Sequence, residues 1–131
     1  MPVELDHTII TMKNVDEATA FYAKILGMKF EGKMGDFSIM RVTASLTLDF
    51  EEAEPGETIE RGHFAFAMTA DEFDAAFERI KASGIPYGEG PGKSENMRGP
   101  GMTQGARGMG KAVYFRDPTG HMLEIKTYDS G

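Results

Sequence analysis

One order of patterns occurs twice in this chain of 131 residues, and that repetition constrains the fold more than any single motif. Residues 3–12, VELDHTIITM, alternate and are rich in β-branched types, which predicts a strand. Asn14 or Asp16 can cap the helix predicted over 16–26, where Ala18, Phe21, Tyr22, Ile25 and Leu26 recur at helical spacing. Gly27 stands where a left-handed helix end is wanted. Strands are predicted at about 28–33, 37–43 and 45–50. After the acidic stretch EEAEPGE, which reads as a linker, the order restarts. GHFAFAM (62–68) predicts a strand. Thr69 or Asp71 can cap a helix running through residue 82, with Phe73, Ala76, Phe77 and Ile80 on one face and Gly84 at its end. Ile85-Pro86-Tyr87 reads as a short strand, and two strands at 111–116 and 121–127 flank the turn Asp117-Pro118-Thr119-Gly120.

The offsets agree with a duplication. His7 and His63, each in the first strand of its half, are 56 residues apart, and Gly27 and Gly84 are 57 apart. Asp49 and Glu124, each in a last strand, are 75 apart. The increase falls in residues 88–110, a Gly-, Pro- and Met-rich stretch read as a long lid loop with no counterpart in the first half. The expected fold class is α+β: two βαβββ modules, about 1–53 and 60–128, in one domain with a curved, cleft-containing mixed sheet.

Composition narrows the function. The absence of Cys excludes disulfide scaffolds, thiolate nucleophiles, Cys zinc sites and iron–sulfur clusters. A formal charge of −7 with scattered Lys and Arg disfavours nucleic acid as a partner. No apolar run approaches the roughly 20 residues that span a bilayer, so no membrane partner is expected. MPVELDH lacks the basic and apolar regions of a signal peptide, so the expected location is cytoplasmic.

If the two halves face each other, their first and last strands bring His7, Asp49, His63 and Glu124 to one cleft. Two imidazoles with one or two carboxylates suit a divalent transition metal that keeps positions open for a small-molecule substrate. Glu124 is the least ordinary of the four, because a carboxylate inside HMLEIKTY shares a strand face with Met122 and Lys126 and is costly if buried unpaired. Asp49 begins an acidic run that ends at Glu54 and can equally be a solvated charge. Tyr114 shares its face with Ala112 and Arg116 and can donate a hydrogen bond to a substrate oxygen or simply pack. His121, in the DPTGH turn, reads as structural. The stretch 88–110 and its edge hold Lys93, Arg98, Gln104, Arg107 and Lys111, a local basic patch suited to an anionic, oxygen-rich substrate. Met97, Met102 and Met109 can pack over the cleft or against a second subunit.

LDHTII followed by DEATAFYAKILGM, GHFAFAM followed by DEFDAAFERIKASGI, and the closing VYFRDPTGHMLEI together resemble the vicinal oxygen chelate superfamily. The resemblance covers nearly all of the chain except 88–110. It implies a divalent metal (nickel, zinc, manganese or iron) on His7, His63 and Glu124. It also places Asp49 near a position where glyoxalase I has a Glu ligand. It further implies a homodimer. The activities it implies are a glyoxalase-type lyase or isomerase, or a ring-cleaving dioxygenase, with Glu124, Asp49 and Tyr114 at the reacting centre. Fosfomycin-transferase chemistry ranks lower, because the chain stops at Gly131 without the basic extension such enzymes use. The alternative is an acidic binding protein of bleomycin-resistance type that sequesters a cationic drug without turnover.

Overall fold

The computed structural model describes residues 3–129. Its strands are β1 (His7–Met12), β2 (Lys29–Met34), β3 (Phe37–Thr43), β4 (Leu46–Glu52), β5 (His63–Ala67), β6 (Tyr87–Gly88), β7 (Gly101–Gly105), β8 (Gly108–Arg116) and β9 (Met122–Thr127). Its helices are α1 (Val15–Leu26) and α2 (Ala70–Ser83). The chain divides into two units, 1–60 and 61–131. The architecture is α+β, one helix and one mixed sheet in each unit.

In the first unit the sheet order is β1-β4-β3-β2. The first and last strands are parallel neighbours, with His7 opposite Thr47 and Ile9 opposite Asp49. Helix α1 starts where the Asn14 side chain accepts the Glu17 amide at 2.9 Å, so Asn14 rather than Asp16 is the cap. It ends at Gly27, whose φ of 71° is left-handed. Ala18, Tyr22 and Ile25 are buried on its inner face, and the helix packs on β4. The Tyr22 and Phe50 rings lie 4.8 Å apart, centroid to centroid. Strand alternation sends Ile10, Met12, Met40, Leu48 and Phe50 into this core. His7, Ile9, Thr47 and Asp49 therefore occupy the opposite face.

The second unit follows the same plan. Its sheet order is β5-β9-β8-β6, again with parallel first and last strands, and β7 adds to β8 beside β6. Thr69, not Asp71, caps α2 by accepting the Glu72 amide, and Gly84 closes it at φ 78°. Phe73, Ala76 and Ile80 are buried, and α2 packs on β9. Val113, Phe115, Leu123 and Ile125 point to the helix side. Each such side chain contributes roughly 1.5–3 kcal/mol by leaving water.

The stretch 88–110 differs from its reading as one long loop. Residues 101–105 and 108–116 pair as an antiparallel hairpin with Gly105 opposite Gly108. Only about 89–100 lacks a strand, apart from a bridge between Gly90 and Lys93. Gly-rich composition hides the hairpin because glycine weakens strand propensity while permitting close backbone approach. Among the described residues no helix is long and apolar enough to cross a membrane.

Candidate metal centre

On the helix-free face of the first sheet, His7 lies exposed near the start of β1. Its Nδ1 is 2.7 Å from Asp6 Oδ2. That hydrogen bond raises the imidazole above its ordinary pKa; partial burial opposes it, and the charges of Asp49 and Asp6 reinforce it. Asp49 accepts the Thr47 hydroxyl at 2.9 Å on one of its oxygens. Both residues thus belong to one face of one sheet, through the parallel pairing of β1 with β4.

The second sheet carries a denser group. His63, Ala65 and Ala67 of β5 share a face with Met122, Glu124 and Lys126 of β9, because Ala65 stands opposite Glu124. Tyr114 of β8 stands opposite Glu124 on the other side. His63 Nε2 and Glu124 Oε1 are 3.0 Å apart. The imidazole is half exposed, whereas the carboxylate side chain is only 6% exposed. The second carboxylate oxygen, Oε2, lies 3.5 Å from the Lys126 ammonium. The His63 and Tyr114 rings meet edge to face.

Tyr114 donates its hydroxyl to Thr103 Oγ1 at 2.9 Å. Burial pushes its phenol above the ordinary value; the Thr103 hydrogen bond acts against this, and the Glu124 carboxylate adds to it. Tyr114 accordingly keeps its proton at neutral pH. Thr103 lies in the segment read as loop, and Lys126 figured in the sequence only as a face-mate of Glu124. Two signals point to them. One is the alternation of GMTQG against GMGKAVYF across an Ala106-Arg107 tip. The other is a Lys within the apolar strand MLEIKTY.

His121 is structural, as its turn predicts. Its Nδ1 accepts the Gly62 amide at 2.9 Å, and its own amide is held by Asp117. The Asp117 carboxylate oxygen also accepts the amides of Thr119 and Gly120. This turn sets the register of β9 and so the position of Glu124.

The structure assembles His63, Glu124 and Tyr114 on one sheet, and His7 and Asp49 on the other. Among the described residues no group of three or more His, Asp or Glu side chains is gathered to hold a metal. The donor chemistry of the assembled pair nonetheless fits one. Two N and O ligands at about 2.1 Å from one ion stand about 3.0–3.4 Å apart, and the His63–Glu124 distance lies in that range.

The fold agrees with the family model that matches residues 4–125, described as the Glyoxalase/Bleomycin resistance protein/Dioxygenase superfamily. The chain belongs to that superfamily. Among curated relatives it is similar to the fosfomycin resistance protein FosX of Listeria innocua, 28% identical over 127 residues, covering 92% of this chain and 86% of that one. It is also similar to the metallothiol transferase FosB of Lysinibacillus sphaericus, 25% identical over 126 residues, covering 94% and 81%. Among solved structures it resembles the oxidase ChaP-H1, 33% identical with a TM-score of 0.82, covering 99% of each chain. One of these relatives thus carries a fosfomycin-resistance name, a type that the sequence reading ranks below the glyoxalase and dioxygenase types.

Proposed function

We propose that this protein is a divalent-metal-dependent enzyme acting on a small substrate with two adjacent oxygens, with His63 and Glu124 as metal ligands in the second unit and His7 as a candidate ligand in the first. The observation that carries this reading is the 3.0 Å approach of His63 Nε2 to Glu124 Oε1 on one sheet face. Asp6 supports His7 as a ligand: it engages Nδ1, which leaves Nε2 to coordinate. When bound, the ion supplies Lewis acidity to a chelated substrate oxygen. The chain's residues do the rest. Tyr114 keeps its proton, which turns from Thr103 Oγ1 to that oxygen when substrate binds. Asp49, with one oxygen held by Thr47, takes or returns a proton on the other. The names of FosX, FosB and ChaP-H1 favour transfer or oxidation of a small molecule. A cytoplasmic homodimer is the state in which we expect it to act.

Elemental mass spectrometry of untagged protein tests this, with His63→Ala and Glu124→Ala beside it. Near-stoichiometric metal that disappears in both variants is the expected result. Iron would direct assays to oxidation, and nickel, zinc or manganese to isomerisation or group transfer. Wild-type protein that holds no metal after reconstitution overturns the enzyme reading in favour of ligand sequestration.

A further inference from the structure

Lys126 carries a charge that the metal reading does not use. Its side chain is 3% exposed, which is rare for an ammonium. Three oxygens of the β7–β8 hairpin receive its Nζ: Thr103 O at 2.7 Å, Thr103 Oγ1 at 2.9 Å and Gly110 O at 3.3 Å. Glu124 Oε2 is the carboxylate oxygen at its side. The hairpin fits closely here. A Cβ at Gly105 would lie 2.9 Å from the Lys126 stem, and one at Gly110 would lie 2.6 Å from Thr127 O.

Beside this ammonium is a cavity of about 300 Å³ whose wall includes Ala65, Ala67, Arg107, Glu124, Lys126 and Tyr128. Arg107 lies over the Tyr128 ring at 4.9 Å, and its amide donates to the Tyr128 hydroxyl at 3.3 Å. Two cations and one carboxylate therefore line this cavity, and that carboxylate already stands between His63 and Lys126. In a chain of net charge −7 this is a local reversal of sign.

We infer that Lys126 sets the charge of this site so that the cavity beside Glu124 receives an anionic oxygen group of the substrate, such as a carboxylate or another small oxyanion. The inference rests on the metal reading for its full form and deepens it by naming the substrate class. The Glu124 carboxylate and a divalent ion leave one positive charge; the buried ammonium makes it two, and Arg107 adds another at the rim. Buried charges act through a lower effective dielectric than exposed ones, so the cavity selects an anion over a cation. Lys126 also occupies Oε2, so Glu124 offers Oε1 toward His63. Lys126 is thus a positioning residue. The same charge pattern disfavours the sequestration of a cationic drug at this cavity.

The test is calorimetric binding of manganese and of oxalate, a dianion with two adjacent oxygens, to wild type, Lys126→Met, Lys126→Arg and Arg107→Gln. In Lys126→Met the two affinities are expected to move in opposite directions. Manganese binds more tightly once a competing cation leaves Glu124, and oxalate binds on the order of tenfold more weakly. Lys126→Arg restores oxalate binding. A purely structural clamp would instead weaken both together, and that result, or no change in either, overturns the inference. Arg107 is exposed at the hairpin tip, so Arg107→Gln folds whatever happens to Lys126→Met. It is expected to lose oxalate affinity about threefold with manganese unchanged, and unchanged oxalate affinity there counts against the proposal. If the wild type takes no metal, the enzyme reading fails by itself. Oxalate is then titrated into metal-free protein, where loss of binding in the Lys126→Met and Arg107→Gln variants sustains the anion site and absence of wild-type binding removes it.

Discussion

Tyr114 and Lys126 meet at one atom: both donate to the hydroxyl oxygen of Thr103, each across 2.9 Å. Side chains of the two strands that carry them, β8 and β9, thereby converge on one oxygen of β7. Removing the acceptor strands the buried Tyr114 hydroxyl and takes one of several acceptors from Lys126, whereas removing one donor leaves the other bond intact. Thr103→Val should therefore cost about 2–3 kcal/mol of stability and Tyr114→Phe about 1 kcal/mol. Urea denaturation followed by circular dichroism measures both. Equal losses would show that Thr103 does not link the two.

Asp117 concentrates three amide hydrogen bonds on one carboxylate oxygen, at 3.0, 2.8 and 2.9 Å from Thr119, Gly120 and His121. It is 5% exposed. Asp117→Ala should destabilise the protein by about 2–4 kcal/mol, since three amides lose an ionised acceptor. Asp117→Asn keeps an acceptor oxygen in place and should lose less than half as much. Comparison of the two denaturation midpoints decides whether the oxygen or merely the side-chain volume matters.

Arg41 grips Glu31 with two parallel bonds, Nε to Oε2 at 3.1 Å and Nη2 to Oε1 at 3.0 Å. The guanidinium holds this carboxyl below its ordinary value, mainly through those hydrogen bonds. A depressed carboxyl stabilises the fold above the unfolded pKa, and the contribution fades as pH falls through the folded one. The melting-temperature gap between wild type and Glu31→Gln should thus be constant from neutral pH down to about 5.5. It should shrink steadily below about pH 4.5, the ordinary value. A gap that persists at pH 3 would refute the pairing.

Gly88 leaves no room for a side chain. A Cβ there would stand 1.6 Å from the Lys93 carbonyl oxygen, which is backbone and cannot swing aside. Gly88→Ala must displace the 89–94 segment, at a cost of about 1–3 kcal/mol. Limited proteolysis should then cut between residues 89 and 98 faster than in wild type. A cutting rate equal to wild type would mean the segment shifts without loosening.

The repeated order of elements was readable because each helix carries its own start and stop: Asn14 and Gly27 in the first, Thr69 and Gly84 in the second. Those signals are local, so they survive without tertiary information. Alternation set the face of Glu124 with Met122 and Lys126, and the repeated order of elements is what grouped His63 with Glu124. What alternation encodes only faintly is a hairpin built on Gly101, Gly105, Gly108 and Gly110, because glycine interrupts the pattern. Thr103 was hidden with it. The role of Lys126 was hidden too, since two of its partners are main-chain oxygens of that hairpin, and a backbone acceptor leaves no trace in residue type.

That mode of attachment has an evolutionary consequence. Thr103 and Gly110 present their carbonyls to Lys126, and every residue type has a carbonyl. Met102, Gln104, Ala106, Arg107 and Met109 can be exchanged without unfastening the hairpin from the sheet. Descendants of this chain can thus repaint one wall of the cavity, and so change what it accepts, while the ligand pair and its supporting ammonium stay fixed.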